Sequence, residues 1–301
     1  IAWYQIDNLF QVSQSLTPGH IKSDDDQREL PEVRFVNIRE IYQNRDIPSG
    51  QPERIQTFDI AYYPEERGAY NFDVEGEPAI SSGLNEDGTL RNPGERWGGI
   101  MREIQTNDFE AANIEFIEFW MMDPYGVDSP KEGGSMYINI GNISEDILKD
   151  SRKSFENGLS PDGTDLNVDT TAWGRVPAIQ SPVNAFDNDG GARVNQDVGL
   201  DGMRDDFERE FVPVSGAIQE SYLDRLVASF GTASEAYSLA SEDPSADNFH
   251  YYLGNDYDAI ELSILERYKM YNGFDGNSPL ESAFSGSNRP DLEDINNELD
   301  A

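Results

Sequence analysis

A mainly β fold, a jelly-roll-like antiparallel β-sandwich with a helical C-terminal layer, is predicted by three features of the sequence. Apolar and polar residues alternate in short runs between 57 and 140, turn-forming residues interrupt those runs, and the apolar spacing becomes helical after Gly216. The resulting division is an irregular N-terminal connector over 1–56, a β-sandwich with an acidic loop over 57–215, and a helical region with a tail over 216–301.

Taken in order, residues 1–56 hold short apolar runs ("IAWYQI", "RFVNIREIY") between acidic and Pro/Gly-containing segments. In "TFDIAYYPEERGAYNF", Phe58, Ile60 and Tyr62 alternate before Pro64 and Gly68 close the run. "WGGIMREIQT" reads as a second strand. "NIEFIEFWMMDPY" is the strongest, with Trp120 expected in the core. "GSMYINIGN" follows, placing Met136, Ile138 and Ile140 on one face. "ISEDILKDSRKSF" changes to a helical pattern: Ser144 is placed as the N-cap, Glu145 and Asp146 in the first turn, and Lys149, Arg152 and Lys153 later. Beyond 216, Ile218, Tyr222, Leu223, Leu226, Val227 and Phe230 share one helical stripe. A second helix is expected near 257–272, with Ile260, Ile264, Leu265 and Tyr268 inward and Gly273 as its stop. The final polar segment is expected to be extended.

Composition narrows function. With 37% hydrophobic and 11% aromatic residues the chain can build a core, so wholesale disorder is not expected. Its 58 acidic against 22 basic residues give a net charge of −36, which repels nucleic-acid phosphates and anionic membranes. The same surface suits cation binding or high salt. Cysteine is absent, excluding disulfides, thiolate metal sites and a cysteine nucleophile. "IAWYQIDNLF" has neither a basic leader nor a long apolar run, and no stretch has the length and apolarity of a membrane-spanning helix. His20 and His250 are the two histidines, and no motif surrounds either. No nucleophile–base pair stands out, so no catalytic residue is assigned and no enzyme is expected.

The stretch "DNDGGARVNQDVGLDGMRDDFERE" carries the clearest chemistry. With Asp197 as position 1 of a calcium loop, Asp201 is position 5, Gly202 position 6, Asp205 position 9 and Glu208 position 12. The Met203 carbonyl would serve position 7. Calcium prefers six to eight oxygens, and this spacing supplies clustered carboxylates around a glycine turn. Position 3 is Gly199 and offers no side chain; Asp187 and Asp189 are the residues that could fold back to fill it. A bound Ca²⁺ is the expectation, and a solvated acidic turn the alternative.

Several stretches share a resemblance. "IAWYQIDNLF", "DIAYYPEERGAYNF", "ERWGGIMREIQTNDFEAANIEFIEFWMMDPY", "YINIGNISEDILKDSRKSFENGL", "NQDVGLDGM" and "RPDLEDINN" resemble, in that order, successive signatures of the SprA/Sov family. "GAYNF" and "MREI" depart from its pattern. That family forms the very large outer-membrane translocon of the type 9 secretion system of Bacteroidetes, linked also to gliding motility. Its members are far longer, so the resemblance implies a soluble cap, vestibule or insertion segment, extracellular or periplasmic, whose membrane contact runs through the parent barrel. The implied partners are other translocon subunits (a PorV-type shuttle, a plug protein) and secreted cargo proteins. The family supplies no catalytic residues, and its "QDVGLDG" signature falls on Gln196–Gly202. The alternative reading is a calcium-stabilised carbohydrate-binding or adhesive module, using aromatic faces on a sandwich; a glycosidase is weaker still, because the required carboxylate separation is not legible.

Overall fold

Side chains that bond to nearby backbone, rather than long strand ladders, organise this protein. The structure, a computed structural model, describes residues 1–76, 81–102, 104–106, 108–125, 133–144, 146, 148, 150–179, 182, 185–216 and 218–271. Its strands are β1 (Ala2–Tyr4), β2 (Val36–Asn37), β3 (Arg54–Ile55), β4 (Asp59–Ala61), β5 (Val168–Thr170) and β6 (Arg175–Pro177). Its α-helices are α1 (Asn8–Gln11), α2 (Gly19–Lys22), α3 (Asp25–Arg28), α4 (Ile38–Ile41), α5 (Gly190–Arg193), α6 (Asp205–Arg209), α7 (Tyr222–Phe230), α8 (Glu235–Glu242) and α9 (Asn255–Ala259). The chain divides into two compact units.

One unit comprises Ile6–Asp59 and Trp97–Gly141. Its described helices are single turns, and three of the four are started by side chains. Asp7 accepts from the Leu9 N–H, Asp24 from the Gln27 N–H, and Asn37 forms a reciprocal capping box with Glu40, whereas α2 follows Pro18 without a side-chain cap. Strands β2 and β3 pair antiparallel, Val36 opposite Ile55 and Asn37 opposite Arg54. Ile6, Leu9, Phe10, Ile21, Val33 and Val36 are buried.

The other unit comprises Ile1–Gln5, Ile60–Arg96 and the residues from Asn142 onward. Strand β1 pairs with β4, and β5 with β6 in the register Val168–Pro177, Asp169–Val176 and Thr170–Arg175. The tip "NEDGT" makes a tight hairpin closing the Leu84–Leu90 bridge. There Asp87 accepts from the Thr89 N–H at 3.0 Å and hydroxyl at 2.7 Å, while Gly88 takes φ +84°. That tip meets α8, whose Ala236 N–H donates to the Glu86 carbonyl at 3.0 Å.

Helix α7 shows why this region folds as it does. Ser221 caps it through the Asp224 N–H, and Gly231 ends it at φ +81°. Its inward residues Tyr222 and Leu226 are fully buried, whereas Val227 is 38% exposed. The core packs Phe72, Val74, Leu84, Leu90, Met203 and Phe211 against α7 and against Ala236 and Ala240 of α8. Phe72 meets Phe211 at 4.8 Å and Tyr222 edge-on at 5.5 Å. Burying a side chain such as Leu226 stabilises the fold by about 1.5–3 kcal/mol.

The predicted mainly β sandwich is corrected. Among the described residues there are three two-stranded sheets, each strand two or three residues long, and helix outweighs strand. The runs expected as central strands have no ladder: "WGGIMREIQT", "NIEFIEFWMMDPY" and "GSMYINIGN" contain no strand among their described residues. Trp120, expected in the core, is 70% exposed, and Tyr137 is 81% exposed. Alternation marks what a strand could bury, but a strand also needs a partner for its backbone. The burial goes instead to loops clasped onto α7 and α8.

The helix expected from Ser144 is also replaced. Asp146 accepts from the Asp150 and Ser151 N–H groups at 3.0 and 3.1 Å, and Ser144 Oγ accepts from the Asp146 N–H at 3.2 Å. These local bonds compete with the helical ladder; Glu145 and Lys149 lie outside the described residues. The helix expected near 257–272 shortens to α9 and a 3₁₀ turn at Glu266–Tyr268. Ile264 and Tyr268 point inward as expected, but Ile260 is 69% exposed. Gly273 and the final polar segment lie outside the described residues.

Candidate metal centre

The acidic loop begins on a glycine turn fixed by close backbone contact. Asp201 accepts through Oδ1 from the Met203 N–H at 2.9 Å, and through its carbonyl from the Arg175 N–H at 2.7 Å. Gly202 sits at φ +72°, where a Cβ would lie 2.3 Å from the Arg175 carbonyl oxygen. Neither the conformation nor the space admits a side chain. This seats the loop against β6 and turns the chain into α6.

Helix α6 carries Glu208 into the interior, with no exposed surface. Across from it lies the segment Asp243–Asn248, which leaves α8. Asp243 accepts from the Asp247 N–H at 3.1 Å and the Asn248 N–H at 3.3 Å, and Ala246 takes φ +56°. Ser245 joins the two segments: its N–H donates to Glu208 Oε2 at 3.2 Å and its hydroxyl to Glu208 Oε1 at 2.9 Å. The same hydroxyl lies within hydrogen-bonding reach of Asp247 Oδ1.

Two carboxylate groups result, sharing Glu208. Oxygens of Asp201, Glu208 and Asp247 lie within 4.8 Å of one another, and so do those of Asp205, Glu208 and Asp243. Asp201, Glu208 and Asp247 are all buried. Arg209 Nη2 lies 2.6 Å from Asp205 Oδ2 and also donates to the Glu242 carbonyl, while Arg209 Nε donates to the Ser241 carbonyl. Arg67 donates to the Asp243 and Pro244 carbonyls. Burial, then the neighbouring charge of Asp247, pushes the Glu208 carboxyl up to about 9. Burial also raises Asp243, opposed by its two backbone hydrogen bonds. Such a centre either holds a proton or gathers a cation; a divalent ion reverses the penalty on the charged forms. All-oxygen donors of this kind suit calcium.

Of the residues singled out in the sequence, the structure brings Asp201, Asp205 and Glu208 together. Asp197 is fully buried but is held by Arg193 at 2.8 Å and joins neither group. Met203 turns its side chain into the core and its N–H onto Asp201. Asp187 accepts from the Asp189 N–H, and Asp189 caps α5; both are exposed, and neither is in the two groups. Asp243, Ser245 and Asp247 were missed. The turn-rich "EDPSADN" was their signal, but nothing in linear spacing places it opposite a loop some forty residues earlier.

Comparison with known families gives one finding that bears on this arrangement. The family model SprA_N, described as "Motility related/secretion protein", matches residues 221–300. No curated protein matches the chain. The match takes in α7, α8 and the Asp243–Asp247 side of the carboxylate centre, while Asp201, Asp205 and Glu208 precede it. No helix among the described residues is long and apolar enough to cross a membrane. Over residues 221–300 the chain is therefore similar to a family described as motility-related and secretory.

Proposed function

We propose that this chain is a structural, partner-contacting segment of a protein-conducting translocon in the bacterial outer membrane, serving type 9 secretion and gliding motility. It forms part of a cap, vestibule or insertion and carries out no catalysis. The observation that carries the reading is the SprA_N match over 221–300, a region that supplies α7, α8 and half of the carboxylate centre. The charge of −36 supports an acidic, well-solvated wall beside a path for protein cargo. Its partners in this reading are the other translocon subunits, a PorV-type shuttle and a plug protein among them, together with secreted cargo.

Within this reading the carboxylate centre binds Ca²⁺. Glu208 with Asp201 and Asp247, or with Asp205 and Asp243, would hold the ion. Their role is mechanical: charge neutralisation lets the segments 201–208 and 243–248 close on each other without protonating Glu208. An ion bound by the native state alone raises stability with its concentration.

Replacing residues 221–271 by a flexible linker of equal length, in the full-length parent protein in its own cells, tests the functional reading. Loss of cargo secretion and gliding, with the parent protein still inserted in the outer membrane, is expected. Normal secretion would overturn it.

A further inference from the structure

The run "IEFIEFWMM" (Ile114–Met122) combines seven apolar residues with two glutamates. Phe116 and Trp120 are 70% exposed, and Ile117, Phe119 and Met121 are all more than half exposed. Solvated apolar side chains in this number mark an interaction surface. Their backbone is equally uncommitted: among the described residues, Glu115–Met122 make no main-chain hydrogen bond. The run is nevertheless bounded at both ends. Before it, the Ile114 N–H donates to the Phe109 carbonyl at 2.8 Å beside Asn113 at φ +52°; after it, the Tyr125 N–H donates to Asp123 Oδ1 at 2.9 Å.

The charge of the run selects its occupant. Asp108, Glu110, Glu115, Glu118 and Asp123 lie within 108–125, which contains no lysine or arginine. A second copy would bring the same acids together, with −36 on each chain, and an anionic bilayer would be repelled likewise. Glu115 and Glu118 are three residues apart, so in an extended chain they point to opposite faces. An antiparallel partner with two basic residues three apart would set one opposite each glutamate, with apolar residues against Phe116, Ile117 and Phe119.

We propose that Ile114–Met122 is a docking strand for an extended protein segment, apolar and carrying two basic side chains three residues apart. Main-chain hydrogen bonds provide the attachment, and the glutamate pair provides the register. The inference goes beyond the proposed function and does not depend on it, since the surface is a property of this chain whichever assembly holds it.

The test uses the full chain and a short Val/Thr-rich peptide with lysines three residues apart, measured by calorimetry. Saturable one-to-one binding is expected. It should weaken at least about tenfold when the peptide's bonding edge is N-methylated, when its lysines become glutamates, or in the double variant Phe116→Ser/Phe119→Ser. Trp97→Ser, an exposed aromatic outside the run, should bind like the parent. Binding indifferent to N-methylation and to the double variant would reduce the effect to general charge attraction and overturn the proposal. So would preferential binding to phosphatidylglycerol vesicles, or self-association that excludes the peptide. Unchanged circular dichroism confirms that the variants keep their fold.

Discussion

At the scale of single residues, Glu208 carries the chemistry. Its folded-state carboxyl is pushed up to about 9 from an ordinary 4.5 by burial and by Asp247. A raised folded value means that the folded chain holds a proton which the unfolded chain releases. The corresponding stability is complete below about 4.5 and is lost as pH rises through about 9. In chelator, melting temperature should therefore fall between pH 5 and 9, and Glu208→Gln should flatten that slope. Calcium should oppose the same loss in the parent, since it favours the ionised form. With calcium at roughly 100 times its dissociation constant, melting should rise by about 5–10 °C, and Asp201→Ala or Glu208→Gln should remove most of that rise. Thermal scans at several pH values, with and without the ion, check both. An equal calcium response in parent and variants would mean that the ion only screens surface charge.

At the scale of elements, α7 and the Asp201–Gly202 turn make the sharpest predictions. Ser221→Ala removes the bond to the Asp224 N–H and should cost about 1 kcal/mol in denaturant unfolding. Gly202→Ala meets both a left-handed backbone and the Arg175 carbonyl, and should cost more than about 1 kcal/mol. If Gly202→Ala were neutral, the loop would not be seated on β6 as described. These elements also show how much the sequence revealed. Helix α7 was legible from its stripe, of which Tyr222 and Leu226 are buried while Val227 is 38% exposed; its Ser221 cap and Gly231 stop emerge only in the structure. The runs at 113–125 and 134–142 misled because period-two alternation records what could be buried, not whether a neighbouring strand exists. The carboxylate centre was half legible: Asp201, Asp205 and Glu208 announce themselves by spacing around Gly202. Asp243 and Asp247 come from a turn that only tertiary folding brings close.

For the whole molecule, 58 acidic residues against 22 basic ones make self-repulsion a general load on the fold. Moderate sodium chloride should therefore raise melting in every variant, by screening alone, without distinguishing Asp201→Ala from the parent. That separates the bulk charge from the specific ion. The SprA_N match covers residues 221–300, and α7 and α8 lie inside the matched segment. Their outward residues Val227 and Leu239 are 38% and 43% exposed, which makes them fair reporters of what this segment touches. The most direct measurement places a photo-crosslinking side chain at each of these two positions, in the full-length parent protein inside living cells. Mass spectrometry should identify adducts to other subunits of the secretion machine, or to cargo caught in transit. Efficient photolysis that yields adducts only to proteins outside that machine would contradict the account.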